Sequence, residues 1–434
     1  MAIAAVGPTK ASERIQALDT ARGMALFGIF MVNVQIMTMP MAEMFESSEA
    51  SRGLLGDAVH YGTRVLFESK SYPLFSMLFG MGLVLMHDRA KAAGRSFAPA
   101  YIRRLLLLLL VGMAHAFLLW YGDILIYYAC LGLVVMWLAP LKPKVMLTIA
   151  AVLVGVAAAW ASGVNYLFVM LGQGQEIAAV KASGFVEFRE LLFAGKIQEG
   201  PMSPAWAAGE TDAIANGPFA NAVGMRLINW ASGAAFWMIF YAVVLHVPAM
   251  FLLGGAILRS GVVNDPNSPW IKRFMLMGLC IGLPGSILSV WMSESQGPMS
   301  PMAALSGGVT HVFGPFVSLG YLGIAMWLAH SGALRWLVRS IAAAGRMALT
   351  NYLMQTILVA ALAQHWGLGW FGDVTRFEML WIVLAVYALQ LIVSPIWLKA
   401  FGMGPFEYAW RCGTYLRLPG SKPKPKPETQ PTAS

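Results

Sequence analysis

The sequence predicts an all-α, polytopic integral membrane protein with about ten transmembrane helices and both termini cytoplasmic. Three observations predict it. The 434 residues are 58% hydrophobic and only 12% charged, with a mean hydropathy of +0.65, whereas soluble domains are about a quarter charged. Apolar runs of about 20 residues, the length that crosses a bilayer, recur along the chain. Lysine and arginine also alternate in density from one inter-run segment to the next.

The runs lie near 23–42, 68–87, 102–121, 123–140, 145–171, 231–258, 273–293, 306–329, 345–365 and 379–400. The opening MAIAAVGPTKASER lacks the apolar core and cleavage pattern of a signal peptide, so the first run itself directs insertion. Only Tyr121-Gly122-Asp123 separates the third run from the fourth, which reads as a tight hairpin. The long stretch 172–230 falls outside the membrane. Within it Phe185, Phe188, Leu191, Leu192 and Phe193 interleave with Glu187, Arg189 and Glu190, the pattern of a short amphipathic helix. It reads either as a loop packed on the bundle or as a lid over an outer cavity. A single helical domain thus covers 1–418, and the Pro- and Lys-rich tail over 419–434 is expected to be disordered.

With both ends inside, the inner segments hold 22 of the 30 Lys and Arg, and the outer segments hold 15 of the 21 acidic residues. The net charge of +9 is therefore sorted by membrane side and does not point to nucleic acid. Cys130, Cys280 and Cys412 are scattered, and no HxxxH, HExxH or Cys/His cluster occurs, so neither a disulfide framework nor a metal is expected.

Ionisable and amide groups inside apolar runs are costly and mark candidate sites. His115 lies about 18 Å along its helix from Arg103, and Asp123 follows eight residues later. An Asp can fix a His tautomer for general-base work, although this spacing calls for a bend or a water between the two. The plainer reading makes His115 a hydrogen-bonded core residue and Asp123 a helix cap. His246, just before Pro248, reads as bonded to a freed backbone carbonyl, and His311 as a lining residue near the outer mouth of its span. Arg22, Arg103, Arg104, Arg346 and Arg411 recur at inner span ends, and Asp19–Arg22 and Glu407–Arg411 are spaced as ion pairs. Turned inward, these arginines make a pocket for phosphate groups. Thr350, Asn351, Tyr352 and Gln355 form a polar stripe suited equally to interhelical hydrogen bonds and to a substrate.

The stretches RIQALDTARGMALFGIFMVN, SYPLFSMLFGMG, RRLLLLLLVGMAH with YGDILIYYACLG, GRMALTNYLMQ and GPFEYAWRCGTY, in that order, resemble the DUF418 (YeiB-like) family of bacterial membrane proteins. The first is also similar to the opening of heparan-α-glucosaminide N-acetyltransferase and, more distantly, of the acyltransferase-3 membrane proteins. That similarity implies transfer of an acyl group from cytosolic acyl-CoA to an acceptor, usually a sugar, across the membrane. It implies an active-site role for Asn33 and places Asp19 and Arg22 near the acyl-CoA entrance. In the N-acetyltransferase a catalytic histidine follows that asparagine closely, but residues 34–59 here contain none. His115, His60 or no histidine then fills the role.

The expected protein is a multi-pass bacterial inner-membrane acyltransferase. The arginines hold the CoA phosphates, His115 acts as base, supported by Asp123, and Asn33 polarises the thioester. His60, His311, Asn351 and Gln355 line the substrate path. The partners are the lipid bilayer, acyl-CoA and a small or glycan acceptor, with no permanently bound cofactor and homo-oligomerisation left open. An exporter of a small amphipathic metabolite using the same buried His, Asp and Asn is the alternative, and a membrane scaffold the third.

Overall fold

Where no water reaches the backbone, its N–H and C=O groups must be satisfied within the segment, and the apolar runs accordingly form helices. A computed structural model describes residues 16–44, 53–172, 180–197, 200–239, 242–297 and 299–416; no strand occurs among them. In chain order the helices are α1 (Gln16–Thr38), α2 (Leu54–Leu66), α3 (Ser71–Ala92), α4 (Ala98–Leu118), α5 (Leu125–Val135) and α6 (Pro143–Gly172). The cap helices α7 (Phe185–Phe193), α8 (Pro204–Thr211) and α9 (Phe219–Ile239) follow. The second half comprises α10 (Val243–Arg259), α11 (Trp270–Met277), α12 (Leu283–Glu294), α13 (Pro301–Ser331), α14 (Arg335–Arg346), α15 (Ala348–Ala363), α16 (Arg376–Phe401) and α17 (Pro405–Tyr415). The tail 419–434 lies outside the described residues.

The expected ten crossings are corrected to six helices, among the described residues, long and apolar enough to span: α1, α4, α6, α11 joined to α12 through a π-turn, α13 and α16. The other four runs are helical but fall short. Leu125–Leu138, Val243–Arg259 and Ala348–Ala363 are apolar but have at most 17 residues, about 25 Å against a hydrocarbon core of about 30 Å. The run at 231–258 is broken at Ala242, which adopts a left-handed φ of 45°. The fourth, α3, has the length at 22 residues but is not among the six, diluted by Ser71, Ser76 and its charged last turn.

Apolar side chains left exposed on α4 (Leu106, Leu110), α6 (Val152, Trp160) and α16 (Trp381, Ile392) face outward as a lipid-contacting surface. The inner core joins Leu74, Met77 and Met81 of α3 to Met250 and Phe251 of α10, Tyr128 of α5 and Leu322 of α13. The α3–α10 crossing is close because glycines meet backbone: a Cβ on Gly80 would fall on the Phe251 carbonyl oxygen, and one on Gly254 on that of Met77. Small residues at such crossings let membrane helices gain dispersion contacts, which replace the hydrophobic drive that lipid cannot supply.

The amphipathic helix expected at 185–193 forms, and it packs as part of a cap rather than lying alone. Phe185 and Phe188 bury against Trp206 and Met225. Arg226, fully buried, fastens the cap to the bundle by donating to the Leu118 carbonyl (3.0 Å) at the end of α4 and to the Gln364 side chain. Glu210 fastens it a second time. Its carboxyl accepts from the Met41 backbone N–H (2.8 Å) and the Asn229 amide (2.6 Å). Burial pushes Glu210 up to about 7, against those two hydrogen bonds and with help from nearby Glu43. A carboxyl raised in the folded state stabilises fully below its unfolded value and loses that contribution as pH rises through about 7. Thermal stability of the purified protein is therefore expected to fall across that interval, and Glu210→Gln to flatten the fall. An unchanged slope in that variant would assign the dependence elsewhere.

Candidate functional site

Two groups of helices converge at one end of the bundle to build a cavity. The start of α1 and the α14–α15 junction supply one wall, and α3, α4, α5 and α17 supply the other. Its volume is about 300 Å³. Five arginines line it, Arg22, Arg89, Arg104, Arg346 and Arg411, against two carboxylates, Asp19 and Glu407. Each charge has a structural cause. Asp19 and Arg22 lie one turn apart on α1 and pair at 2.7 Å. Glu407 accepts from the Thr350 N–H (3.0 Å) and hydroxyl (2.6 Å), capping α15 from α17. The Arg104 guanidinium lies over the Trp410 ring at 4.0 Å, and the Trp410 indole donates to the Arg104 carbonyl at 2.9 Å. A guanidinium on an aromatic face keeps its in-plane donors for a ligand.

Beyond the arginines the wall turns apolar, with Leu26, Ile29, Phe75, Phe79, Leu108 and Leu349. Roughly 20 Å of α3 separates Arg89 from Phe75 at 1.5 Å per residue, so the cavity penetrates the bundle. Two phenols, Tyr128 and Tyr352, stand in this deep part. Tyr128 is hydrogen-bonded to Ser76 (2.8 Å) and donates to the Tyr72 carbonyl (3.1 Å). Tyr352 donates a long bond, 3.4 Å, to Asp123 Oδ1.

Behind Tyr352 lies the buried pair that the sequence singled out. His115 Nδ1 meets Asp123 Oδ1 directly at 2.8 Å, and Nε2 meets the Thr356 hydroxyl at 2.9 Å. The spacing had called for a bend or a water, and a bend supplies the contact: α4 ends at Leu118 and the chain turns back before α5. Gly112, one turn before His115, makes the return possible, since a Cβ there would stand 2.9 Å from both Asp123 Oδ2 and Ile126 N. Asp123 Oδ2 in turn accepts from Ile126 N–H at 2.9 Å, capping α5. Asp123 thus holds His115 with one oxygen and caps α5 with the other.

The remaining candidates divide sharply. Arg22, Arg104, Arg346, Arg411 and Asp19 share the cavity. Arg103 does not line it; its Nε donates to the Thr414 carbonyl at 3.0 Å and helps dock α17. Neither Asn33 nor His115 lines this cavity. Asn33, half-buried, makes no side-chain hydrogen bond there. The four residues expected to line a substrate path also lie away from this cavity. Asn351 donates to Ala344 O and Ser394 Oγ, both at 3.0 Å, and Gln355 donates to Gln390 at 2.9 Å, so these amides join α15 to its neighbours. His311 is buried mid-bundle with its ring 4.6 Å from that of His246, which bonds the Tyr72 hydroxyl at 2.9 Å. His60 lies at the opposite end of α3 from the arginines, beside Arg376. Sequence reasoning passed over Arg89, which had registered only as loop charge, and Trp410, which a lone tryptophan near a terminus does not advertise.

Comparison with known proteins places this arrangement in a family. The profile described as "Protein of unknown function (DUF418)" matches residues 257–417. The chain is 33% identical to the uncharacterized protein YxaH of Bacillus subtilis (strain 168) over 423 residues, covering 94% of this chain and 96% of YxaH. It is 30% identical to the uncharacterized protein YeiB of Escherichia coli (strain K12), covering 92% and 96% of the two chains. No solved structure matches it. With relatives aligned from end to end and the profile falling on the segment that carries the arginine-lined α14–α17 wall, the chain belongs to the DUF418 (YeiB-like) family of bacterial polytopic membrane proteins.

Proposed function

We propose that the protein is an inner-membrane acyltransferase that takes an acyl group from cytosolic acyl-CoA, with both chain ends on the cytoplasmic side. One observation carries this reading: a cavity whose rim holds five arginines and whose depth is apolar, ending at a phenol backed by a buried Asp–His pair. The rim suits phosphates, which arginine binds bidentately. The apolar depth suits a slim acyl-pantetheine arm, with the nucleotide left at the rim. The positive-inside bias of Lys and Arg puts the rim on the cytoplasmic side.

In this reading the acceptor hydroxyl or amine attacks the thioester carbonyl. The carbon–sulfur bond breaks, and CoA leaves as a thiolate that takes up the acceptor's proton. Tyr352, facing the cavity, relays it: its hydroxyl receives the acceptor's proton while passing its own to Asp123, which His115 holds in place through Nδ1–H, and the relay then runs back, Tyr352 giving a proton to the departing thiolate and regaining one from Asp123. His115 thus acts through Asp123 rather than on the acceptor directly, because both its ring nitrogens are engaged. The Tyr352 hydroxyl takes over the base role first given to His115.

Acyl-CoA binding to the purified protein, followed calorimetrically across acetyl, butyryl and palmitoyl chains, tests the proposal. Arg104→Gln is expected to weaken binding about tenfold, the equivalent of about 1.4 kcal/mol. A wild-type protein that binds no acyl-CoA would overturn the reading. Uptake in proteoliposomes driven by a pH gradient and abolished by His115→Ala would instead favour export.

A further inference from the structure

At the far end of α3 from the arginine-lined cavity, α2, the end of α12 and the start of α16 bring together a second set of charges. Arg64 holds both carboxylates within reach. Its Nε donates to Glu68 at 3.2 Å and Nη1 to Glu294, while Nη2 donates to Ser293 Oγ at 3.0 Å. Lys70 donates to the Arg64 carbonyl at 2.7 Å. His60 accepts from Arg376 at Nδ1 and turns Nε2 toward Glu294, 3.7 Å away. Burial, then the charges of Arg376 and Arg64, push His60 down to about 4 against the opposing pull of Glu68 and Asp57. It therefore stands neutral beside the guanidinium.

That leaves Arg376 without a counter-ion. It is only 4% exposed and its Nε has no hydrogen-bond partner. Among the described residues no carboxylate makes an ion pair with it. Asp57 is exposed and acts on it only from beyond ion-pair distance, and Glu378 is engaged with the Thr375 N–H (2.8 Å) and hydroxyl (2.7 Å). A buried cation whose side-chain hydrogen bond is to a neutral ring, with no carboxylate in contact, is expensive. Arg376 is also the first residue of α16, whose capping box between Thr375 and Glu378 satisfies the Glu378 N–H and leaves the dipole's positive end at Arg376. The chemistry missing from this arrangement is an anion. Its setting identifies which kind, because α2 lies over the site with Leu54, Leu55 and Leu66 exposed, an apolar face suited to the membrane–water boundary where phosphates are dense.

We propose that Arg376, His60 and the α16 N-terminus form a phosphate-binding site on this face, distinct from the arginine-lined cavity and filled by a phospholipid headgroup or by free phosphate. The site stands whether or not the acyl-transfer reading does. Delipidated full-length protein in neutral detergent would be titrated with inorganic phosphate against chloride at matched ionic strength, and separately with phosphatidylglycerol against phosphatidylcholine, following thermal unfolding. Saturable stabilisation is expected in at least one arm: by inorganic phosphate if the ligand is free, by phosphatidylglycerol alone if it is a headgroup. The apparent Kd is expected to rise at least tenfold in Arg376→Gln and to be unmoved by Arg104→Gln. If Arg376→Gln does not fold, His60→Ala is read in the same titrations, with at least a threefold rise expected. Stabilisation in neither arm overturns the site. So does a response that survives the Arg376 or His60 substitution, or one that Arg104→Gln removes.

Discussion

Replacing Gly254 by leucine is expected to stop the bundle from assembling. A side chain at that position lands on the Met77 carbonyl of α3, and the reciprocal position, Gly80, already abuts the Phe251 carbonyl of α10. Both obstacles are backbone, so no rotamer change relieves them and the two helices must separate. Overpacking of a close-packed interior costs about 1–3 kcal/mol even where side chains can adjust, and here they cannot. Separation also removes Phe251 from its stack on Phe79 (4.8 Å between ring centroids), a residue of the cavity wall. Purified Gly254→Leu should lose its monodisperse peak or unfold well below the wild type. Gly155→Leu on α6, where a Cβ meets nothing within 4 Å, is the matched control and should change little. Equal stability for the two variants would mean that the α3–α10 contact is not what holds the bundle together.

Asp123→Ala is expected to remove acyl transfer and to weaken the fold together. Its carboxylate accepts from His115 Nδ1 at 2.8 Å, Ile126 N–H at 2.9 Å and the Tyr352 hydroxyl at 3.4 Å, all buried. Each orphaned buried donor costs about 1–3 kcal/mol, so truncation should lower stability by at least about 2 kcal/mol. Asp123→Asn separates the two effects. The amide oxygen can keep the Ile126 cap, leaving the NH₂ group facing two donors, His115 and Tyr352. Turnover is expected to fall about 10²–10⁴-fold, the range of a lost acid–base group, with acyl-CoA binding retained because Asp123 is not in the cavity wall. A pH–rate profile that Asp123→Asn leaves unchanged would reduce Asp123 to a helix cap.

Much of this site was legible in the linear chain, for reasons that can be stated residue by residue. His115 and Asp123 were conspicuous because charge and imidazole are costly in an apolar run. Their direct contact was not, since eight residues of continuous helix would hold them apart, and only the turn after Leu118 closes the gap. The inner arginines were conspicuous from the charge bias, and four of the five in the cavity were among them; Arg103, next to Arg104, points instead at α17. Asn33 looked well placed by depth alone, yet it does not share the cavity. In the stripe of α15, Asn351 and Gln355 bind other helices, while Tyr352 alone of that group faces the cavity.

The amino-acid sequence by itself determined the class: composition and apolar run length demand helices in lipid. These are local properties, additive along the chain, and need no knowledge of neighbours. The number of full crossings was less secure, because run length ignores where a helix stops, as at Ala242. Only the tertiary structure decided which polar groups meet. Two side chains at the same depth can lie on opposite sides of a bundle, and helix rotation and partner choice depend on glycine contacts such as Gly80 and Gly254, between segments more than 170 residues apart.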